Sequence, residues 1–542
     1  MRLAGTNFRL HNKRLSILIA ALLLSTLVLA ACGSPNNETS VDTPAAVEPS
    51  ESESPTETVT EPEQEAAEAE SVLRVAMQPI VQTDPALISS DSEILVASHV
   101  YDYLVDIDPE SNPIPRLAHS WDISPDGLSY IFYLEEGVTW HDGTPLTADD
   151  VVWTFERLRD PDSGLPTADL YSGVESVEAT GDLEVTFTLA DPSPFFLYDV
   201  SDNHALIVKN GTEEATDFMG TGPFRVTNYS AEDRVEMEAN RDYFLEGLPQ
   251  LDRLEIIFFN DETASIDALR SGQIDLAMRM STSLFESLQG QPGINTVSIP
   301  TNGFDLVRLR ADRPPGDDPL VRQALKLATD REAILGLVQQ GYGAIGNDSP
   351  IGPLYEAYHD PSATPPDYDV AEARRLLEEA GYEDGFEMVL HVPDTGGRPD
   401  LATVLQSQWQ EIGINVEVSV EPESVYYGDD GWLEVDLGIT GWGSRPYPQF
   451  YLETMVACDA VWNEAHFCAE ELDELIATAG TTLDEEERVQ AYAEIQQYLA
   501  AEGPYIIPYY FAQFAAINDA FENFELKAFA GRSDFRNVSL AD

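Results

Sequence analysis

Basic residues are scarce in this sequence. Its 542 residues include 29 lysines and arginines against 97 aspartates and glutamates, which gives a formal net charge of −68. A surface of this charge repels nucleic acids and anionic lipids, so we exclude both as partners, and it favours solubility, including in salt. Residues 38–70 hold only 11 of the acids, so most of the acid excess belongs to the rest of the chain.

Long apolar runs are also scarce, and the only one lies at the N-terminus. A basic stretch precedes residues 15–31, and the run ends in Leu29-Ala30-Ala31-Cys32. This ending is typical of a lipoprotein signal peptide, which is cut before a cysteine that becomes lipidated. The alternatives are a plain signal peptide and a transmembrane anchor, although the run is short for a spanning helix. We predict a signal peptide over residues 1–31, lipidation of Cys32, and export.

Residues 32–70 lack hydrophobic periodicity and are rich in proline, serine, threonine and glutamate. Such a segment buries too little apolar area to offset the entropy lost on ordering. We therefore predict a disordered acidic stalk that lifts the body off the membrane.

Cysteine is rare, and besides Cys32 the chain contains only Cys458 and Cys468. These two lie ten positions apart in a protein predicted to be exported, so we predict a disulfide. Closing so short a loop contributes about 2–3 kcal/mol in the loop-entropy model. The alternative is a metal site that includes His466, but other ligands with thiol–metal spacing are missing.

The sequence also lacks the motifs of common hydrolases. It contains no nucleophile elbow and no zinc motif, and its eight histidines do not cluster. These absences disfavour a secreted hydrolase and direct metal coordination. Because carboxylates are so numerous, a catalytic pair of them is not recognisable in the sequence, and a hydrolase remains the third hypothesis for function.

The most informative stretch present is residues 116–155. The turn at residues 123–127 is followed by an alternation of apolar residues at 130–134 that predicts a strand. Thr147 is placed to cap a helix whose first turn is acidic. This combination closely resembles the signature of the family 5 extracellular solute-binding proteins, which serve oligopeptide, dipeptide and nickel ABC importers.

Within this signature, His141 and Asp142 could be read as catalytic. No nucleophile or base lies nearby in the motif, so we predict instead that they brace the turn between strand and helix. The turn at residues 220–224, Gly-Thr-Gly-Pro-Phe, is a second family match. Its spacing is wrong for a phosphate-binding loop, and no lysine follows, so we predict a turn in which two backbones approach closely.

With further matches at residues 319–331 and 533–540, the resemblance spans about residues 72–542. It implies an α/β fold, a two-lobed periplasmic-binding-protein-like clamp (type II, cluster C) with an extra subdomain inserted in lobe I. The implied boundaries are 71–115, 218–303 and 508–542 for lobe I, 116–217 for the insert, and 304–507 for lobe II. A ligand would bind between the lobes, and closure would be a population shift driven by contacts that improve in the closed form.

The strongest candidate for ligand contact is the loop around Trp442, where flanking glycines expose an aromatic face. In peptide-binding relatives, an aspartate a few residues past this tryptophan pairs with the amino group of the ligand. Here Arg445 takes that place, and since a cation repels an ammonium, we predict an anionic group on the ligand. Such a bond contributes on the order of 1.5–3 kcal/mol when desolvated. The alternative is that Arg445 balances the acid excess of the protein.

Four further residues are site candidates by resemblance alone. Arg398 resembles the position that holds the ligand carboxylate in dipeptide-type relatives, and Tyr447, Phe304 and Ser90 fall in regions that line the cleft. The alternative for each of these residues is plain packing or a loop role.

The resemblance implies a binding protein and not an enzyme. We predict a lipid-anchored receptor, a monomer in the periplasm or on the outer face of the cell membrane, that delivers a solute to the permease subunits of an ABC importer. The solute is peptide-like by default, and the alternative is an opine-like or sugar-derived anion or a nickel chelate. We expect no cofactor and no directly bound metal.

Overall fold

The structure is a computed structural model that describes residues 70–541 except 110, 166, 169, 429 and 430. The predicted signal peptide, the lipidation of Cys32 and the predicted stalk up to residue 69 therefore lie outside the described residues. In the part of the chain that is described, no helix has both the length and the apolarity needed to cross a bilayer.

The strands, in chain order, are β1 (Val72–Met77), β2 (Val105–Ile107), β3 (Pro113–Pro115), β4 (Ala118–Ile123), β5 (Ser129–Leu134), β6 (Val174–Gly181), β7 (Glu184–Leu189), β8 (Phe224–Ser230), β9 (Arg234–Ala239), β10 (Arg253–Phe258), β11 (Leu276–Met278), β12 (Ile294–Leu309), β13 (Ala344–Ile345), β14 (Phe386–Pro393), β15 (Ile414–Glu421), β16 (Leu437–Trp442), β17 (Tyr505–Ile506), β18 (Tyr509–Asn518), β19 (Phe521–Glu522) and β20 (Ser539–Leu540).

The α-helices, in chain order, are α1 (Asp91–Val100), α2 (Ala148–Arg159), α3 (Phe196–Asp199), α4 (Glu262–Arg270), α5 (Thr282–Leu288), α6 (Pro319–Leu327), α7 (Arg331–Val338), α8 (Val370–Glu379), α9 (Arg398–Gln410), α10 (Glu423–Tyr426), α11 (Gln449–Tyr451), α12 (Glu470–Thr481) and α13 (Glu485–Glu502). A π-helical turn, Leu452–Val456, directly follows α11.

The main sheet runs in the order β15-β14-β16-β12-β18-β11-β1-β10-β9-β8, with β17 on β12 and β13 on β18. β12 pairs with β18 over residues 294–300 and with β16 over residues 304–309, and its register shifts between Pro300 and Phe304. Two long strands thus join one group of strands, β14 to β16, to another, β8 to β11 with β1. This arrangement confirms the predicted two-lobed α/β fold, and the proposed boundary at 303/304 falls inside β12.

A second, antiparallel sheet runs in the order β4-β5-β7-β6 in the region predicted to be the insert. It has its own aromatic core, in which Phe187 packs edge-on against Phe132 and Phe155 at 5.5 and 4.9 Å between ring centroids. Next to it, α2 begins after Thr147, whose backbone N–H and hydroxyl both donate to the Asp150 carboxylate. The strands and the helix start follow the predicted pattern.

His141 and Asp142 brace the turn between this sheet and α2, as predicted. The Asp142 carboxylate accepts hydrogen bonds from the N–H and hydroxyl of Thr144 and pairs with Lys209. The His141 ring Nε2 lies 3.1 Å from the carbonyl oxygen of Gly222. Both side chains therefore have structural partners, within the turn and in the later segment 209–222.

Parallel pairing of β14 and β15, with α9 between them in sequence, forms the predicted strand–helix–strand unit. The helices beside it present apolar faces, and α6 buries Val321, Ala324 and Leu325. Buried charges here are paired, since Arg331 donates to Asp348 at 2.7 Å and Asp348 is fully buried.

Buried ion pairs fasten the C-terminal segment to the first strands of the chain. Asp106 accepts from Arg116 and Arg532, each at 2.6 Å, and from Arg536 at 3.3 Å. Burial by itself would raise the pKa of Asp106, but the surrounding guanidinium and ammonium groups hold it well below the ordinary value. Through Arg532 and Arg536, these ion pairs tie residues 532–536 to β2.

The turn at residues 220–224 brings two backbones together, as predicted. A Cβ atom added at Gly220 would overlap the carbonyl oxygen of Val100, and one added at Gly222 would overlap the Val100 carbonyl group. The N–H of Gly222 donates to the Val100 carbonyl at 2.9 Å. Only glycine fits at these two positions without moving the backbone.

We expect Gly220→Ala to lower the free energy of unfolding by about 1–3 kcal/mol, because overpacking against backbone forces a local shift. The matched control is Gly173→Ala, since nothing lies within 4 Å of a Cβ added at Gly173. Urea denaturation of both variants measures the difference. Equal midpoints for Gly220→Ala and Gly173→Ala would contradict the packing argument.

Candidate functional site

A cavity lies beside the loop that follows β16. One wall is formed by residues 444–447 with Phe450, and the facing wall by residues from the segments 107–111, 198–203 and 527–532. The cavity volume is about 80 Å³, well below the ~300–1,000 Å³ typical of sites for drug-sized ligands. The two walls are therefore close together in this structure.

Tyr447 connects the two walls. Its ring stacks on Phe195 and Tyr198 at centroid distances of 5.1 and 5.0 Å. Its hydroxyl donates to Asp199 Oδ1 at 2.9 Å. Because Tyr447 belongs to predicted lobe II and its three partners to the predicted insert, these contacts are of the kind that form when a cleft closes.

Arg445 reaches the same cavity between two aromatic rings. Its guanidinium carbon lies 4.6 Å from the centre of the Phe450 ring and 5.9 Å from that of Phe529. Its backbone carbonyl accepts from the Tyr355 hydroxyl at 2.7 Å, which fixes the loop. Among the described residues, no carboxylate lies within ion-pair distance of this guanidinium, so it is able to pair with an acidic group of a ligand.

Carboxylates on the facing wall shape the electrostatics of the cavity. Burial raises the pKa of Asp199 to about 7, the negative charges of Glu453 and Asp202 act in the same direction, and the Tyr447 hydroxyl opposes the shift. Asp202 instead pairs with His204 at 2.6 Å. The cavity therefore contains carboxylates in two different electrostatic states.

Trp442 lies under the loop and is only 8% exposed. Its indole Nε1 donates to Glu464 Oε1 at 3.1 Å, and Glu464 Oε2 accepts from the Thr440 hydroxyl at 2.7 Å and from Arg308 at 3.3 Å. Arg308 and Glu464 are fully buried. Trp442 is thus held by a buried polar network and is not among the residues that line the cavity.

The loop that carries Glu464 is closed by a disulfide between Cys458 and Cys468, as predicted. The Cys458 N–H also donates to Asp473 in α12 at 3.0 Å. The disulfide therefore lies next to the network that positions Trp442. Among the described residues, no group of three or more histidine, cysteine, aspartate or glutamate side chains is arranged to hold a metal ion.

The remaining candidates lie outside the cavity wall in this structure. Phe304 is fully buried opposite Trp442 in the β12–β16 pair. Arg398 donates from Nε to Asp305 Oδ1 at 2.8 Å. Ser90 caps α1, where its hydroxyl accepts from the N–H of Glu93. Ligand contact by these residues stays a prediction, while Arg445 and Tyr447 are brought together at the cavity.

Sequence reasoning missed the facing wall of the cavity. Its charged members are Asp108, Asp199, Asp202, Lys527 and Arg532. They come from segments more than 80 residues away from Arg445 on either side, and no local motif marks them. Only the resemblance of residues 533–540 to a family ending indicated that the C-terminal segment returns to the first lobe.

A two-lobed α/β fold that encloses a charged and aromatic cavity between its halves defines a solute-binding clamp. Comparison with known proteins identifies which kind. The family model for bacterial extracellular solute-binding proteins, family 5 Middle, matches residues 112–463, and the chain belongs to this family.

Relatives in the family carry different ligand names. The chain is 27% identical to di/tripeptide-binding protein 1 of Pseudomonas aeruginosa (strain UCBPP-PA14), over 79% of this chain and 86% of the relative. It is 28% identical to heme-binding protein A of Haemophilus influenzae, over 84% of this chain and 90% of the relative. It also resembles the crystal structure of a dipeptide-binding protein from Pseudoalteromonas sp. SM9913 in complex with Met-Leu, with a TM-score of 0.74 at 26% identity, over 87% of this chain and all of that one.

We expect Glu464→Gln to destabilise the protein by about 3–5 kcal/mol, because it leaves the buried charge of Arg308 without its partner. The control is Glu372→Gln, which removes an exposed partner of Arg375 and is expected to change the stability below the resolution of the measurement. Urea denaturation followed by tryptophan fluorescence measures the stability of both variants. A Glu464→Gln protein as stable as the control would show that the pair is not needed.

Proposed function

We propose that this protein captures a small solute in the cavity beside the Trp442 loop and delivers it to an ABC importer, with a lipid at Cys32 as its only membrane anchor. Membership of the family supports solute capture, and the names of its relatives support a peptide-like solute as the default. The family is one of binding proteins, so we propose no catalytic step.

The single observation that supports an acidic ligand is the position of Arg445 at the cavity. It is the one side chain of the Trp442 loop that brings a full positive charge to the cavity, and it lacks an ion-pair partner among the described residues. A guanidinium held between two rings keeps its fork-shaped donors available for a carboxylate. We propose a solute with an acidic group, either a peptide-like carboxylate or an opine-like or sugar-derived anion.

Capture is proposed to work through closure of lobe II, residues 304–507, on the rest of the body. The stacking of Tyr447 on Phe195 and Tyr198 and its hydrogen bond to Asp199 favour the closed form. The strand segments near residues 300–304 and 507–508 connect the lobes, and the register shift in β12 is a natural place for bending. A solute would shift the population only through contacts that the open form lacks.

The solute is identified by native mass spectrometry of the purified protein, followed by calorimetric titration with the compound found. We expect Arg445→Ala to weaken binding of this compound about 10–100-fold, because a hydrogen bond to a charged group contributes ~1.5–3 kcal/mol. The affinity of Arg445→Lys is expected to lie between those of wild type and Arg445→Ala, because lysine keeps the charge and loses the fork geometry.

Arg375→Ala is the matched control, since Arg375 is exposed on α8 and pairs only with Glu372 and Glu379 of the same helix in the described structure. Unchanged affinity in Arg445→Ala would overturn the assignment of Arg445. Chemical conversion of the solute during incubation would overturn the proposal of a binding protein.

A further inference from the structure

The described part of the cavity walls carries balanced charge in a protein that is otherwise strongly acidic. Among the described residues, three acidic and three basic side chains line the cavity: Asp108, Asp199, Asp202, Arg445, Lys527 and Arg532. A cavity built for a purely anionic solute would instead show an excess of basic groups. The wall therefore contains more negative charge than the acidic group of a ligand alone would require.

Four of these six charges have local partners. Asp202 pairs with His204 and Arg532 with Asp106, each at 2.6 Å. The Lys527 ammonium donates to the carbonyl oxygen of Ile107 at 2.7 Å. The Asp108 carboxylate accepts from the N–H and side-chain amide of Asn112. Of the other two, Arg445 forms no ion pair among the described residues, although its charge helps to lower the pKa of Asp202, and Asp199 has one neutral partner, the Tyr447 hydroxyl.

Asp199 has room for one more partner. Its Oδ1 accepts from the Tyr447 hydroxyl at 2.9 Å, and among the described residues no donor lies within hydrogen-bond distance of Oδ2. The ionisable groups that act on it come from its own segment, from β5, from the loop before β6 and from lobe II, and they are Asp202, Tyr130, Tyr171, Tyr447 and Glu453. None of these groups is a cation, so an ionised Asp199 has no counter-charge within ion-pair distance in the described structure.

We propose that Asp199 is a specificity-determining residue that recognises a cationic group of the captured solute, on the wall opposite Arg445. A ligand ammonium or guanidinium would supply the counter-charge that an ionised Asp199 lacks among the described residues. This inference rests on the proposed function and narrows it to solutes that carry both an acidic and a cationic group.

Protonation of Asp199 gives the proposal its own readout. Burial raises the pKa of Asp199 to about 7 from the ordinary value of 3.8. The native protein then binds more protons than the unfolded chain between these values, so the contribution of Asp199 to stability is full at low pH and is lost as the pH rises to about 7. A cation placed at Oδ2 would restore that stability above pH 7.

The experiment measures thermal unfolding of the full chain from pH 5 to pH 8 for wild type, Asp199→Asn and Asp122→Asn. Asp122 is the matched control, because it also accepts from a tyrosine hydroxyl, that of Tyr133 at 2.9 Å, but in an exposed sheet. We expect the midpoint of Asp199→Asn to rise relative to wild type by about 2 °C between pH 5 and pH 8. The offset of Asp122→Asn is expected to stay constant.

The same measurement at pH 8 is repeated with ethylammonium chloride and with sodium chloride at equal ionic strength. Ethylammonium is expected to raise the midpoint of wild type by about 1 °C more than sodium does, and to lose this advantage in Asp199→Asn. A pH-independent offset for Asp199→Asn, or equal effects of the two cations on wild type, would overturn the proposal. Neither result would touch solute capture at Arg445, which is tested by the identified solute.

Discussion

The pairing of β12 with β18 is the constraint on which the rest of the structure depends. β12 pairs with β18 over residues 294–300 and with β16 over residues 304–309, so a single strand belongs to both groups of the main sheet. Backbone hydrogen bonds therefore run through the junction on both sides of the register shift in β12. The loop that follows β16, a strand paired with β12, forms one wall of the cavity.

Buried charges set the positions of the elements around that junction. Asp106 pairs with Arg116 and with Arg532 near the C-terminus. Glu464 pairs with Arg308 and accepts from Trp442. Each pair is costly to bury and far more costly to break, so these networks specify geometry more than they add stability. Trp442, at the start of the loop, is held by the buried Glu464, and Arg445 and Tyr447, further along the loop, line the cavity.

In the Trp442 loop, the residue that is most noticeable in the sequence is not one of those that line the cavity. Trp442 and the glycines around it are conspicuous in the sequence, yet the indole is nearly buried and its partner is a carboxylate of the same half. The side chains that line the cavity are its successors Arg445 and Tyr447, and the Tyr447 hydroxyl donates to Asp199 in the predicted insert. Phe304, Arg398 and Ser90 occupy packing, ion-pair and helix-cap positions in this structure.

The sequence by itself determined the local elements and the family. Turn chemistry, periodicity and cysteine spacing depend on neighbouring residues, so several local features were predictable. They are the turn at residues 123–127 with β5, the cap at Thr147, the glycine turn at residues 220–224 and the disulfide. Only the tertiary structure decided the facing wall of the cavity. Asp199 and Lys527 line the same cavity as Arg445, and an arrangement of residues so distant along the chain leaves no periodic signal in it.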